Sequence, residues 1–554
     1  MKQIISDLPK HQREDFRKKF DRAGRARVRP SRWWIGQPDT SWLETPTGSR
    51  LWAVASIGLR RAYIRGVDAL RFHELTKHTP ASVRRSARAL DWSNKPHPFK
   101  EYVDLEPIPL PPPSSDTAFP ATEAIIGRGP DVGRPLDLPE VARLLVLGAG
   151  VLRERVFADG ERLYFRTYAC AGALYPIELY VACSDIDGLA SGLYHFHPRE
   201  RALRRVGTND PRPYLSRACG RRDAVARAPL AFVLTGIPWR TTWKYEVRGY
   251  RHLYWDGGMI VANLLGLAAS AGHAAEVVAG FADDEVNALL GVDGRTEMAL
   301  AVVPIGFSSE NKGPLVSEPR VPMTTQHAVA PLSPRAREYP ELVAAHAASA
   351  LAPEEAASWQ RPPDRRPSAP QATLCHDGLE RVIRRRGSSR AFSHDPIPGE
   401  QLTDVLVRGL YHMPSDWGSS LIEMAAIVNA GEGLEPGAYR VDDGRLRLLA
   451  KGDFRDAAYR LCLEQPLGGD AAATVFLLAN LRRIVSGYGS RGYRAAQLEA
   501  GIRAGRLYLG AYACGFGATG LTFYDDEVRK FFETDLEPML AVALGRPARR
   551  RRLL

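Results

Sequence analysis

Cysteine is scarce in this chain: six among 554 residues, at 170, 183, 219, 375, 462 and 514, with no CxxC pair and none of the dense spacing of a disulfide scaffold. This excludes a small cross-linked secreted module, and reduced thiols in a cytoplasm are the expectation. Long apolar runs are also missing. The longest, such as Met259–Ala271, fall short of a bilayer span, and residues 1–30 are charged throughout where a secretory signal needs an apolar stretch. A cytoplasmic protein with no membrane attachment is therefore expected. The body of the chain lacks an excess of either charge. Of the net +12, residues 1–30 contribute +6, from ten positive and four negative side chains, and five arginines in 546–552 contribute +5, which leaves +1 between them. The basic character sits in two tails, so no basic groove for nucleic acid is indicated.

What is present is globular. An apolar fraction of 45% with 25% charged residues supports a packed core and excludes a wholly disordered or fibrous chain. Composition divides the chain into a basic, Trp-dotted extension (1–70), a first unit (71–306), a connector rich in Pro, Ser, Ala and Arg (307–371) and a second unit (372–554). Within the first unit, Pro107–Asp116 (PIPLPPPSSD) reads as an extended polyproline-like stretch with the folded block after it, and in the connector at most one short helix is expected, at Tyr339–Leu351.

The two units repeat each other. Arg248-Gly249-Tyr250-Arg251 recurs as Arg491-Gly492-Tyr493-Arg494, with an acid at the same offset beyond each (Asp256, Glu499). Phe281-x-Asp283-Asp284-Glu285-Val286 recurs as Phe523-x-Asp525-Asp526-Glu527-Val528, and Gly188-Leu189-x-x-Gly192-Leu193-Tyr194 as Gly433-Leu434-x-x-Gly437-Ala438-Tyr439. Matches in the same order at offsets of 242 to 245 indicate one duplicated fold. Each copy reads as a helix (Leu138–Gly148; Gly399–Leu410), strands (Glu178–Ala182 and Leu230–Thr235; Glu423–Val428 and Ala473–Leu478), a long helix and a last strand (Met298–Pro304; Pro538–Leu544). This is an α+β fold with helices flanking a mixed or antiparallel sheet. Two such copies can form an intrachain pseudo-dimer with a ligand cleft between them.

Several motifs bear chemistry. Arg386-Gly387-Ser388-Ser389-Arg390-Ala391-Phe392 places two arginines around a hydroxyl, which suits a phosphate monoester, though a solvated basic run reads the same way in isolation. Trp243-Lys244-Tyr245 offers a proton acceptor only if burial lowers the lysine; alone it is a solvated Lys beside a core Tyr. Gly487-x-Gly489-x-x-Gly492 matches a dinucleotide fingerprint but follows no strand and reads as a degenerate copy of Lys244–Gly249. His73, His78, His195 and His197 show no metal spacing, so no metal is expected. The C-terminal arginines either help hold a phosphate or form a tail.

Taken together these motifs resemble the flavin nitroreductase superfamily, whose Arg-x-Ser-x-Arg-x-Phe segment grips the FMN phosphate. Arg166-Thr-Tyr-Ala-Cys170-Ala-Gly172-Ala-Leu-Tyr175-Pro176-Ile-Glu178 and the following GLYHFHP resemble the SagB/ThcOx-type azoline dehydrogenases within it, as do His73–His78, Leu90-Asp91-Trp92 and Pro98-Phe99-Lys100. The likeness runs from about Phe72 to the C-terminus. It implies one FMN in a composite site: Arg386, Gly387, Ser388 and Arg390 from the second unit on the phosphate, the loop Arg166, Ala169, Cys170, Ala171 and Gly172 from the first unit at the ring, and Gly520 and Leu521 supplying either a backbone N–H to the flavin or a plain loop. The first unit's counterpart of the phosphate segment, Arg128-Gly129-Pro130-Asp131-Val132, has proline for serine and an acid that repels phosphate. Tyr168 and Cys170 stand where two serines are usual. The resemblance further implies that Lys244 and Tyr245 do the proton chemistry in oxidising peptide thiazolines or oxazolines to azoles, with oxygen reoxidising the flavin and a cyclodehydratase as biosynthetic partner. An NAD(P)H-driven nitro- or quinone reductase, an oxidase of another heterocyclic or amino-acid-derived intermediate, and a flavin-free scaffold are the rival expectations.

Overall fold

The computed structural model describes residues 67–86, 89–158, 160–308, 327–362, 370, 373–442 and 444–548, all within one body spanning 64–554. The N-terminal extension up to residue 66 and the arginines from 549 onward lie outside the described residues. Each repeat builds a six-stranded antiparallel sheet. In the first unit the strands are β1 (Pro107–Pro109), β4 (Ile177–Cys183), β5 (Gly192–His197), β6 (Ala202–Gly207), β7 (Leu230–Gly236) and β8 (Met298–Ile305), in the order β1-β6-β5-β4-β7-β8; a separate hairpin pairs β2 (Val151–Val156) with β3 (Arg162–Arg166). In the second unit they are β10 (Glu423–Val428), β12 (Gly437–Asp442), β13 (Arg445–Lys451), β14 (Ala473–Ala479), β15 (Gly517–Leu521) and β16 (Glu537–Gly545), ordered β13-β12-β10-β14-β16-β15, with β9 (Ile397–Pro398) and β11 (Gly431–Glu432) forming a short parallel pair. Central strands are apolar on both faces, as the sequence of β4 shows. Leu179 and Val181 face the main core, while Tyr180 and Ala182 face a second cluster on the other side of the sheet. The helices and strands read from the two repeats fall where expected to within about a residue.

The main core forms around two long helices, Gly249–Ser270 and Arg491–Ala513, one from each repeat. They touch backbone to backbone. A Cβ added to Gly258 would lie 2.6 Å from the Cα of Gly501, and one on Gly501 would lie 2.6 Å from the carbonyl oxygen of Trp255, so only glycine permits this crossing. The repeated motifs then pair across the seam. Asp525 of the second unit accepts from Arg248 (3.0 Å) and Arg251 (2.8 Å) of the first, while Asp283 of the first accepts from Arg491 (2.7 Å) and Arg494 (2.7 Å) of the second. All six side chains are buried. This reciprocal arrangement, in which each patch meets its own copy, is that of a two-fold dimer realised within one chain.

Four expectations need correction. The segment before the proline stretch is folded: the Ala69–Leu75 helix buries Phe72 and His73, and Lys77 reaches Asp526 and Glu537 of the second unit at 3.1 Å. Pro107–Pro109 is not a free connector but the edge strand β1, because its partner β6 offers an open edge where a strand lacking N–H donors is tolerated. The 307–371 connector carries two short helices, Pro340–Ala347 and Pro353–Trp359, each opened by a proline at its first position. Finally, Cys375 and Cys514, 139 residues apart, form a disulfide, with Cα atoms 5.2 Å apart, so not all six cysteines are free thiols; the fold juxtaposes residues whose spacing gave no sign of it. No described helix is long and apolar enough to cross a membrane.

The buried arginine pairs hold the carboxyls of Asp283 and Asp525 well below the usual carboxylate range despite the opposing effect of burial. Their folded-state pKa lies below the unfolded one, so this stabilisation is complete above the unfolded value and is lost as pH falls through the folded value. Asp525→Asn leaves two buried guanidinium groups without a counter-charge and is expected to destabilise the fold by about 3–5 kcal/mol. Denaturant unfolding at neutral pH checks this; a change below about 1 kcal/mol, the level of an exposed pair, would show that the seam does not depend on the charge.

Candidate functional site

The helix Pro238–Tyr245 follows the C-terminal end of β7 directly and ends at Lys244-Tyr245, beside the loop that follows β3. In that loop Gly172 has φ +64°, a left-handed conformation that glycine adopts without penalty. A Cβ on it would sit 2.9 Å from Tyr245 Oη and 3.3 Å from Lys244 Nζ. Loop and Lys-Tyr pair, expected separately from sequence, thus meet at one exposed glycine. Burial lowers the lysine, with the positive charges of Arg390 and Lys95 adding to the effect, while burial raises Tyr245. The lysine loses its proton more readily than a free side chain, and the tyrosine keeps its own.

The loop is anchored from beneath by the first long helix. Asp256 accepts from the Cys170 thiol at 3.0 Å and from the Ala171 N–H at 3.2 Å, and the Cys170 sulfur accepts the Tyr175 N–H at 3.1 Å. Cysteine at 170 therefore faces the helix rather than the cleft, where it holds the backbone of Ala169–Gly172 in place. Tyr168 is buried as well. One turn before Asp256, His252 stacks on the Tyr245 ring at 4.3 Å and 14°, and burial keeps the imidazole neutral. Motif reading did not single out His252; its i, i+4 spacing to the repeated acid Asp256 was the available signal.

The second unit supplies the facing wall. Arg386 leaves the Leu379–Arg385 helix and donates to the carbonyls of Arg166 (2.9 Å) and Thr167 (3.2 Å), so it fastens the first unit's loop to the second unit. Gly387 and Ser388 are half-buried and Arg390 is exposed, near enough to Lys244 to influence it. Ser389 donates its backbone N–H to Ala518 of β15 at 2.9 Å, which brings Gly520, exposed, and Leu521, buried, alongside. The site was thus expected from residues that the fold assembles from both units. Tyr508, on the second long helix, was missed. Its hydroxyl accepts the Gly520 N–H at 2.6 Å and lies 3.2 Å from Ser388 Oγ.

Whether FMN suits this cleft is tested by the groups that line it. Glycines at 172 and 520 leave room on both walls, and Arg390 and Ser388 present donors to an anion. The residues fit the group.

The place related to this cleft by the internal repeat is filled. There Asp416 accepts the N–H groups of Ala279 (3.0 Å) and Gly280 (2.6 Å), a Cβ on Gly280 would lie 2.7 Å from the Trp359 ring, and Tyr488, the counterpart of Tyr245, donates to the carbonyl of Trp417 at 2.8 Å. Trp359 comes from the connector and donates to the carbonyl of Tyr488 at 2.8 Å. The counterpart phosphate segment is also engaged elsewhere: Arg128 pairs with Glu123 and donates to the carbonyl of Pro370.

Comparison with known proteins gives the setting. The Nitroreductase family profile matches residues 134–307 and 383–546, once in each repeat. MJ1384 of Methanocaldococcus jannaschii, described as a nitroreductase, is 30% identical over 176 residues, 32% of this chain and 83% of that protein. The microcin B17-processing protein McbC of Escherichia coli is 30% identical over 152 residues, 26% of this chain and 56% of McbC. The crystal structure of a nitroreductase-like protein from Anabaena variabilis superposes with a TM-score of 0.69 at 26% identity, covering 87% of this chain and 99% of that one.

Burial raises the Asp256 carboxyl to about 7, against the opposing bonds from Cys170 and Ala171. Because this folded value lies above the unfolded value of about 4, the folded chain binds the proton more tightly and stability falls as pH rises between the two. Asp256→Asn removes that dependence. The melting temperature of the variant minus that of the wild type should increase from pH 5 to pH 8; a constant difference would show that Asp256 does not titrate in this range.

Proposed function

The chain belongs to the nitroreductase family, in a tandem two-unit form, and on that footing we propose that this oxidoreductase uses FMN to oxidise thiazoline or oxazoline rings of a ribosomally made peptide to thiazoles or oxazoles. The observation that carries the reading is the meeting of Lys244 and Tyr245 with Gly172 at a cleft whose other wall comes from the second unit. A reductase driven by a pyridine nucleotide has no need of a lysine whose proton affinity is lowered at that point. The relation to McbC, which by its name processes microcin B17, supports a peptide substrate, delivered by a partner that closes the rings as a cyclodehydratase does.

Bound FMN would supply the two-electron acceptor, taking up a hydride from the ring. The residues of the chain do the remainder. Ser388 and Arg390 would hold the phosphate, with Arg386 keeping the first unit's loop against them. Lys244, in its neutral form, takes the ring C–H proton, and Tyr245, which stays protonated and is fixed by the His252 stack, orients the ring by hydrogen bonding. One proton and one hydride leave per ring, so each azole is two hydrogens lighter than its azoline.

Flavin released from the denatured protein should amount to one per chain, because the repeat-related place is filled by Trp359 and Trp417; two per chain would overturn the composite site. Lys244→Ala should keep that flavin and lose peptide-ring oxidation by about 10²–10⁴-fold, the usual cost of removing general-base help, and Tyr245→Phe should keep it and lose less, since it removes only the orienting hydroxyl. Reduction of an artificial quinone by pre-reduced protein should persist, since it makes no demand on the base. Mass spectrometry of a co-expressed precursor peptide reads the first activity. Survival of ring oxidation in Lys244→Ala would place the proton acceptor elsewhere.

A further inference from the structure

The hydroxyl of Tyr508 links two segments that border the cleft. Tyr508 lies on the second long helix, 1% exposed, among apolar neighbours. Its counterpart in the first long helix, at the offset of 243 that relates Arg248 to Arg491, is Leu265. A buried hydroxyl is costly unless bonded, and this one occurs only in the repeat that carries the Arg386–Arg390 segment. Its partners account for it: the Gly520 N–H at 2.6 Å and Ser388 Oγ at 3.2 Å.

We propose that Tyr508 is a positioning residue that commits the Ser388 hydroxyl to act as a hydrogen-bond donor toward the phosphate of FMN. The inference rests on the reading that this cleft holds FMN, and concerns how the chain selects the phosphorylated flavin. A backbone N–H can only donate, so the phenol oxygen accepts from Gly520. The phenol proton then needs an acceptor, and we take Ser388 Oγ, 3.2 Å away, as that acceptor. The serine's own proton is then turned outward. A phosphate offers only acceptors, so a serine presenting a proton attracts it and a serine presenting lone pairs repels it. Successive bonds running the same way, from Gly520 through Tyr508 to Ser388, polarise one another and strengthen the terminal donor. Riboflavin, which lacks the phosphate, makes no use of this donor.

The test compares FMN with riboflavin, each titrated against apoprotein and read by flavin fluorescence, for wild type, Tyr508→Phe, Ser388→Ala and the double variant. Tyr508→Phe should weaken FMN by about tenfold, as expected for a hydrogen bond to a charged group, and leave riboflavin within about twofold. Ser388→Ala should weaken FMN similarly, and the double variant should be little worse than either single one, because both remove the same donor. Equal weakening of FMN and riboflavin in Tyr508→Phe, or additive losses in the double variant, would overturn the proposal. Should Tyr508→Phe fail to fold, Ser388→Ala alone still decides, since loss of both ligands alike would show that Ser388 does not serve the phosphate. A wild-type chain that binds neither flavin would overturn the flavin reading itself, whereas a wild type that prefers FMN and a Tyr508→Phe variant with the same preference would sink only the role of Tyr508.

Discussion

Two aspartates, each between two buried arginines from the other repeat, set the relation between the halves of this protein. Asp283 and Asp525 lie at the starts of the Asp283–Leu290 and Asp525–Phe531 helices and reach Arg491, Arg494 and Arg248, Arg251 at the starts of the opposite long helices. Buried ion pairs are weak as sources of net stability, because desolvation offsets much of the attraction, but they are strict about geometry. A shift of one long helix by a turn would strand its two guanidinium groups. The contact of Gly258 with Gly501 imposes the same register sterically, and together the two constraints permit one arrangement.

Every part of the candidate site is referred to that seam. Asp256, two residues before Gly258 on the first long helix, holds the loop carrying Gly172; Tyr508, seven residues after Gly501 on the second, holds Ser388 and Gly520. The cleft is therefore measured from the helix crossing on both sides, and Arg386 closes the remaining gap by bonding across it to the carbonyls of Arg166 and Thr167. A site whose walls belong to separate repeats gains precision only if the repeats cannot slide, and the buried pairs supply that rigidity.

The repeat, the helices and the central strands were legible in the sequence because each depends on local pattern, whereas the candidate cleft residues were gathered by a family resemblance. What the sequence concealed depends on the seam. Arg-Gly-Tyr-Arg and Phe-x-Asp-Asp-Glu-Val stood out as repetitions, yet nothing in one dimension says that each partners the other motif of the opposite copy. Cys375 and Cys514, both in the second unit, were concealed for a different reason: they meet across 139 residues of its chain. The β2–β3 hairpin has no counterpart between Leu410 and Glu423, so the repeat could not reveal it. The Pro353–Trp359 helix opens with proline and two glutamates, a readable N-terminus, but its surroundings are so rich in proline that composition argued for an open connector. His252 and Tyr508 belong to no motif; each matters through the neighbour that tertiary packing gives it.

Joining two copies in one chain changes what selection can do with a symmetric pair of clefts. In a dimer of identical subunits any substitution appears at both places, so a residue that blocks one cleft blocks the other. Here the copies differ independently. Unit one keeps Lys244 and the glycine loop, and unit two keeps the Arg386–Arg390 segment with Tyr508 behind it. The redundant place is closed by Trp417, Asp416 and the connector residue Trp359. That closure also stiffens the assembly, since Asp416 bonds directly to the backbone of Ala279 and Gly280 beside Asp283. The pseudo-symmetric cleft has become part of the seam on which the working cleft depends, and the asymmetry of the sequence is the physical record of that exchange.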